Sequence, residues 1–181
     1  MKWSKALGLL LGVGGLSVLA GCTFGGCTKR KKVFRFQADP SSPVYAAALQ
    51  AASNWTRATG VVITVTADGD IPILVVEKTE CPLPPEYEGT GKAVLGCTMD
   101  DDSPDERIEL DQRILKDSDM LLTIITHEMG HVLRGNVDHL DDPADKCCIM
   151  APSDNKCRRA ITPKDIDFIC QCLECPASPD S

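Results

Sequence analysis

The chain has three histidines, and all of them fall in one window: His127-Glu128-Met129-Gly130-His131, then His139. No other feature of the sequence constrains the fold so tightly. Residues four apart lie on one face of an α-helix, so a helix through this window presents His127 and His131 to a single point. Neutral imidazoles so placed suit a zinc ion, and three protein ligands leave one position open for water. Glu128 stands next to the first ligand. Its carboxylate can take a proton from that water and later return it to a leaving amine. Histidines that merely happen to cluster are the plainer explanation, but it leaves their absence from the rest of the chain unexplained.

The flanking residues supply the helix. Ser118 or Asp119 can cap it, and it runs to about Arg134. Leu121, Leu122, Ile125, Met129, Val132 and Leu133 form one apolar stripe at helical spacing, and Met120, Ile124, His127 and His131 form a second. A helix apolar on two sides is buried, with the histidine side as the floor of a cleft. Gly135 can take the left-handed conformation that ends a helix. On an unbroken helix His139 would point well away from the other two histidines. The chain must therefore turn back after Gly135 to deliver it.

With Gly135, His139 and Cys148-Ile149-Met150-Ala151-Pro152, the window resembles the metzincin zinc peptidases, whose pattern is H-E-x-x-H-x-x-G-x-x-H followed by a Met-turn. Gly91-Lys92-Ala93-Val94-Leu95-Gly96-Cys97-Thr98, followed by Ile108-Glu109-Leu110-Asp111, is similar to the matrixin cleft-edge strand and the strand after it. Ile161-Thr162-Pro163-Lys164-Asp165-Ile166 is similar to the opening of the matrixin C-terminal helix. The resemblance spans roughly residues 33 to 175, and the zinc motif and Met-turn are its specific parts.

What the resemblance implies is a zinc-dependent endopeptidase acting on peptide or protein substrates. Its fold would be α+β: a single metzincin-like domain, a twisted mixed sheet with an active-site helix and a C-terminal helix. His127, His131 and His139 would hold Zn²⁺, Glu128 would be the catalytic base and acid, and Met150 would be the Met-turn methionine beneath the metal. The strand near Val94 to Gly96 would hold an extended substrate by β-addition.

The spacing departs from the family pattern, with the glycine one residue late and the third histidine two residues late. Some metzincin relatives use aspartate as third ligand, so Asp138 is a rival to His139. Imidazole is the commoner zinc ligand and favours His139. No tyrosine stands just after Met150, so an astacin-type tyrosine donor is not indicated. A gluzincin needs a downstream glutamate ligand, and only Glu174 follows Glu128. The rival function is a non-catalytic zinc-binding surface lipoprotein with a retained peptidase fold. The intact Glu128 speaks against it.

Lys2 and Lys5 precede an apolar run from Ala6 to Ala20, too short for a comfortable membrane span. The run ends Leu19-Ala20-Gly21-Cys22, which resembles a bacterial lipobox. By that resemblance residues 1–21 are a signal peptide, and Cys22 carries lipid and anchors the chain outside the cytoplasm. Thr23, in place of an aspartate, points to the outer membrane if the source is Gram-negative. Residues 22–32 read as a tether, with Gly25 and Gly26 for flexibility and Lys29-Arg30-Lys31-Lys32 within reach of anionic head groups. The domain follows at 33–175, and residues 176–181 read as a disordered tail.

Without Lys2 and Lys5, 17 basic residues face 26 acidic ones, a net charge of −9, or −13 without the four tether cations as well. Phosphate binding needs a basic face, so nucleic acid is not expected as a partner. The enzyme is expected to act as a monomer. Asp100-Asp101-Asp102 could bind calcium but lacks any EF-hand spacing, and a solvated acidic turn is the simpler reading.

With Cys22 lipidated, nine cysteines remain in an oxidising compartment. Cys81 and Cys97 could bridge. Cys147, Cys148, Cys157, Cys170, Cys172 and Cys175 would tie the Met-turn loop to the last helix, leaving Cys27 unpaired. A rival is a second zinc. Cys148-x-Met150 and Cys172-x-x-Cys175 are similar to archaemetzincins, which carry an extra cysteine-bound zinc, although those have a cysteine where Leu140 follows His139.

Periodicity predicts strands at Val33 to Gln37, Val61 to Thr66, Ile71 to Val76, Ala93 to Met99 and Ile108 to Asp111. It predicts helices from Ser42-Pro43 to Gly60 and from Thr162-Pro163 to about Cys175.

Overall fold

The computed structural model describes residues 33–83, 85, 88–91, 93–99, 106–135, 139–140, 147–151, 160–173 and 175. In chain order the elements are β1 (Val33–Gln37), α1 (Pro43–Thr59), β2 (Val62–Thr66), β3 (Ile71–Val76), β4 (Gly96–Met99), β5 (Arg107–Asp111), a 3₁₀ turn (Gln112–Lys116), α2 (Ser118–Arg134) and α3 (Pro163–Cys170). The architecture is α+β, with one mixed sheet in the order β2-β1-β3-β5-β4. β1 runs parallel to β2 and β3, and β3 runs parallel to β5. β4 is the antiparallel edge strand, with Gly96 opposite Leu110 and Met99 opposite Arg107.

Period-two alternation sets the buried face of this sheet. Phe34 and Phe36 of β1, Ile63 and Val65 of β2, and Ile71 and Ile73 of β3 are buried, while Val33, Arg35 and Val62 face outward. α1 begins at Ser42 with Pro43 in its first turn and ends at Gly60, whose φ of 71° is left-handed. Its buried side carries Val44, Ala48, Ala51, Ala52 and Trp55. The three alanines let α1 lie close to its neighbours β2 and α2. Trp55 is fully buried and donates its indole N–H to the Thr126 carbonyl at 2.8 Å, which pins α1 to α2 one residue before His127.

Several boundaries differ from the sequence expectation. α2 is capped by Asp117, not by Ser118 or Asp119. Asp117 accepts from the Asp119 and Met120 N–H groups and so satisfies two of the donors orphaned at a helix start. Met120 of the second apolar stripe is 42% exposed, so that stripe leaves the core at the first turn of α2, while Leu121 beside it is buried. β4 begins at Gly96. Val94 and Leu95 lie outside it, their carbonyls held by the Thr79 hydroxyl and the Asp111 N–H. α3 stops at Cys170 and not near Cys175, where the Cys170–Cys175 disulfide folds the chain back.

The expected Cys81–Cys97 bridge is present, and Cys147 and Cys172 are also disulfide-bonded. Cys172 and Cys175 are therefore not thiolates, which removes the second, cysteine-bound zinc. Cys148 carries a buried thiol outside any disulfide. Cys22, Cys27, the tether, Asp100 to Asp102, Asp138 and the tail lie outside the described residues. Among the described residues no helix is long and apolar enough to cross a membrane.

Candidate metal centre

α2 carries His127 and His131 one turn apart and ends where the sequence requires. Gly135 has φ 78° and donates its N–H to the His131 carbonyl at 2.8 Å. The chain then returns, and His139 meets the other two. His127 Nε2 lies 3.0 Å from His131 Nε2 and 3.2 Å from His139 Nε2. The ligand atoms of all three histidines lie within 4.8 Å of one another, and they could hold a metal ion. The residue after His139 is fixed as well, because the Leu140 N–H donates to the Met150 carbonyl at 2.9 Å. Asp138, the rival ligand, lies outside the described residues.

Two observations test the fit to a cation. The first is spacing. Four nitrogens at about 2.0–2.1 Å from a tetrahedral zinc would be about 3.3 Å apart, close to the two separations found. The second is tautomer. His127 Nδ1 lies 2.6 Å from the Ile149 carbonyl, which can only accept. The proton therefore sits on Nδ1, and Nε2 turns its lone pair to the shared point. A backbone carbonyl orienting a metal-ligating histidine is a recurrent outer-shell device. His131 is buried, whereas His127 and His139 are partly exposed.

The segment carrying Ile149 and Met150 is held from α3. Asp165 is fully buried and its carboxylate accepts from the Ile149 N–H (3.1 Å), the Met150 N–H (2.9 Å), the Thr162 N–H (2.8 Å) and the Thr162 hydroxyl (2.7 Å). The bond from the Thr162 N–H belongs to a capping box at the start of α3, which the Asp165 N–H completes by donating to the Thr162 hydroxyl, and the hydroxyl's own bond to the carboxylate reinforces it. The other two reach the Met150 segment. α2 and α3 are also joined directly, because the buried Arg134 stacks its guanidinium 3.6 Å from the Phe168 ring centroid and donates to the Phe168 carbonyl.

Met150 is completely buried against Gly130. A Cβ at Gly130 would run into the Met150 sulfur and lie 3.1 Å from both Met150 Cε and Trp55 Cζ2. With Met150 sealed in the core, the thioether has nowhere to swing. Gly130→Ala should therefore lower stability by about 1–2 kcal/mol in urea titration. That is an overpacking penalty of about 1–3 kcal/mol partly offset by the better helix propensity of alanine. A variant as stable as the parent would show that Met150 yields.

Glu128 is buried between α2 and β4. Burial pushes its carboxyl up to about 7, and hydrogen bonds from Thr98 pull the other way. The Thr98 hydroxyl lies 2.8 Å from Glu128 Oε2 and 3.1 Å from the Glu128 carbonyl. Strand and helix approach closely here because Gly96 has no side chain. A Cβ would fall 2.8 Å from Glu128 Oε1 and would collide with Ile124. A cation among the histidines would draw the Glu128 carboxyl back toward the ionised form.

The structure thus brings together His127, His131 and His139, with Glu128 adjacent and Met150 below Gly130. Sequence reasoning did not single out Thr98 or Asp165. For Asp165 a signal exists, since Thr162-x-x-Asp165 has capping-box spacing. It announces the helix start but not the reach to Met150. Compared with known proteins, the chain matches no family model and no curated protein.

Proposed function

We propose that the protein is a zinc-dependent endopeptidase of metzincin type. The observation that carries this reading is three histidine Nε2 atoms facing one point, beside a buried carboxylate from the residue after the first histidine. The mixed sheet supports it, because β4 lies at the edge and pairs with β5 as the likeness to the matrixin cleft-edge strand expects. Met150, seated against the helix glycine before His131, fits the role of the Met-turn.

Zinc, when bound, would polarise the scissile carbonyl and acidify a water. Glu128 takes a proton from that water as its oxygen adds to the carbonyl carbon. As the C–N bond breaks, Glu128 returns the proton to the leaving nitrogen. The outer edge of β4 offers unpaired backbone groups along which an extended peptide can lie. The same reading puts the domain outside the cytoplasm on a lipid at Cys22, and its disulfides suit that compartment.

The test is peptide hydrolysis by the purified protein against a mixed peptide library. Activity should vanish with a chelator and return on adding zinc. A protein that binds about one zinc per chain and cleaves nothing in the library would be a zinc-binding surface lipoprotein instead.

A further inference from the structure

We propose that Thr98 is the positioning residue for Glu128, its hydroxyl fixing one carboxylate oxygen and leaving the other as the base. This rests on the endopeptidase reading above. A glutamate side chain has three rotatable bonds, and a base that wanders by an ångström can lose about 10²-fold in rate. Among the described residues, the hydrogen bonds to the Glu128 carboxylate come from Thr98. The restraint comes from β4.

Thr98 Oγ1 has one proton and two acceptors within reach, the Glu128 carboxylate at 2.8 Å and the Glu128 carbonyl at 3.1 Å. The carboxylate oxygen is the nearer of the two acceptors, so the proton goes to Oε2. Oε1 then remains as the base, lying over Gly96, where any side chain would displace it.

The platform beneath Thr98 is rigid. Cys97 before it is bonded to Cys81, and Met99 after it pairs with Arg107 of β5. Thr98 itself is paired with Ile108, which is fully buried. Both hydrogen bonds of the Thr98 hydroxyl go to Glu128, so its effect is exerted through that residue. The strand that would receive the peptide is also the strand that aims the base.

The experiment compares Thr98→Val, which keeps the branched shape without the donor, and Thr98→Ser, which keeps the donor. The first readout needs neither metal nor activity. Three-bond couplings of isotope-labelled Glu128 in the zinc-free protein should report a single side-chain rotamer in wild type and Thr98→Ser, and an average in Thr98→Val. The second readout is kinetic. Thr98→Val should lower kcat about 10- to 100-fold with KM and zinc content unchanged, and Thr98→Ser should restore it. Thermal melts check folding, and Thr98→Ala replaces Thr98→Val if the latter does not fold.

A single rotamer persisting in Thr98→Val would overturn the proposal, as would Thr98→Ser failing as badly as Thr98→Val. If wild type cleaves no peptide, the endopeptidase reading fails, and the rotamer comparison still decides whether Thr98 holds Glu128.

Discussion

Replacing Glu128 with glutamine should cut peptide hydrolysis by at least about 10²–10⁴-fold while zinc content stays near one per chain. The substitution keeps the length of the side chain and an oxygen for the Thr98 hydroxyl, so its placement survives. What disappears is the base. The three histidines would carry the metal, and the hydrogen bonds that position their rings run to one another and to the Ile149 carbonyl. Stability should not fall, because a neutral amide suffers less from burial than a carboxylate does. His131→Ala is the informative contrast. Losing a ligand should lower metal content and activity together, and stability with them, since bound metal favours the folded state. Kinetics and metal analysis on the same preparations decide the matter. A Glu128→Gln protein as active as wild type would refute Glu128 as the base and leave the metal site standing.

The histidine centre was legible in the sequence because its logic is local. Two ligands four residues apart need only a helix, and the helix announces itself through Leu121, Ile125, Met129 and Val132, all of which are buried. The break at Gly135 was legible for the same reason, since only a left-handed residue there lets His139 return. Strand positions followed from β-branched runs such as Val62–Thr66 and Ile71–Val76.

The sheet order was not legible. Period-two alternation says that Phe34 and Ile63 are buried, but not that β1 lies between β2 and β3. Nor was the support of the site, because it depends on pairs far apart in sequence. Thr98 meets Glu128 across 30 residues and Trp55 meets Thr126 across 71. Cys97 and Thr98 are consecutive and both buried, which hides the alternation that would have marked Thr98 as facing the helix. Tertiary packing decides such contacts, and no local pattern encodes them.

Asp165 is the residue outside the histidine window on which the centre most depends, and Asp165→Ala is expected to be severely destabilising. Its carboxylate accepts four hydrogen bonds, two of them from the Ile149 and Met150 N–H groups in the interior. Truncation would leave those two donors buried with no acceptor, at about 1–3 kcal/mol each, besides the loss of the α3 cap at about 1 kcal/mol. Urea unfolding should therefore register a loss of about 3–5 kcal/mol. Asp165→Asn should recover part of the loss, because its amide oxygen can keep the three bonds made to Oδ2 while its NH₂ opposes the Met150 N–H.

The effect should reach the metal. Ile149 gives its N–H to Asp165 and its carbonyl to His127 Nδ1, so one peptide unit connects the aspartate to the ligand. Met150 likewise accepts from Leu140 beside His139. Releasing this segment loosens the supports of two of the three histidines without touching any of them. Outer-shell partners of this kind are worth about 10–100-fold in metal affinity, and zinc competition titrations of the folded fraction should show a weakening of that size. Thr162→Ala supplies the comparison, because it removes the hydroxyl's bonds to Asp165 and Cys148 and leaves the Ile149 and Met150 N–H groups held by the Asp165 carboxylate. It should cost about 1 kcal/mol and leave zinc affinity intact. If Asp165→Ala unfolds like Thr162→Ala and binds zinc as wild type does, the Met150 segment keeps its shape without α3, and the aspartate is no more than a helix cap.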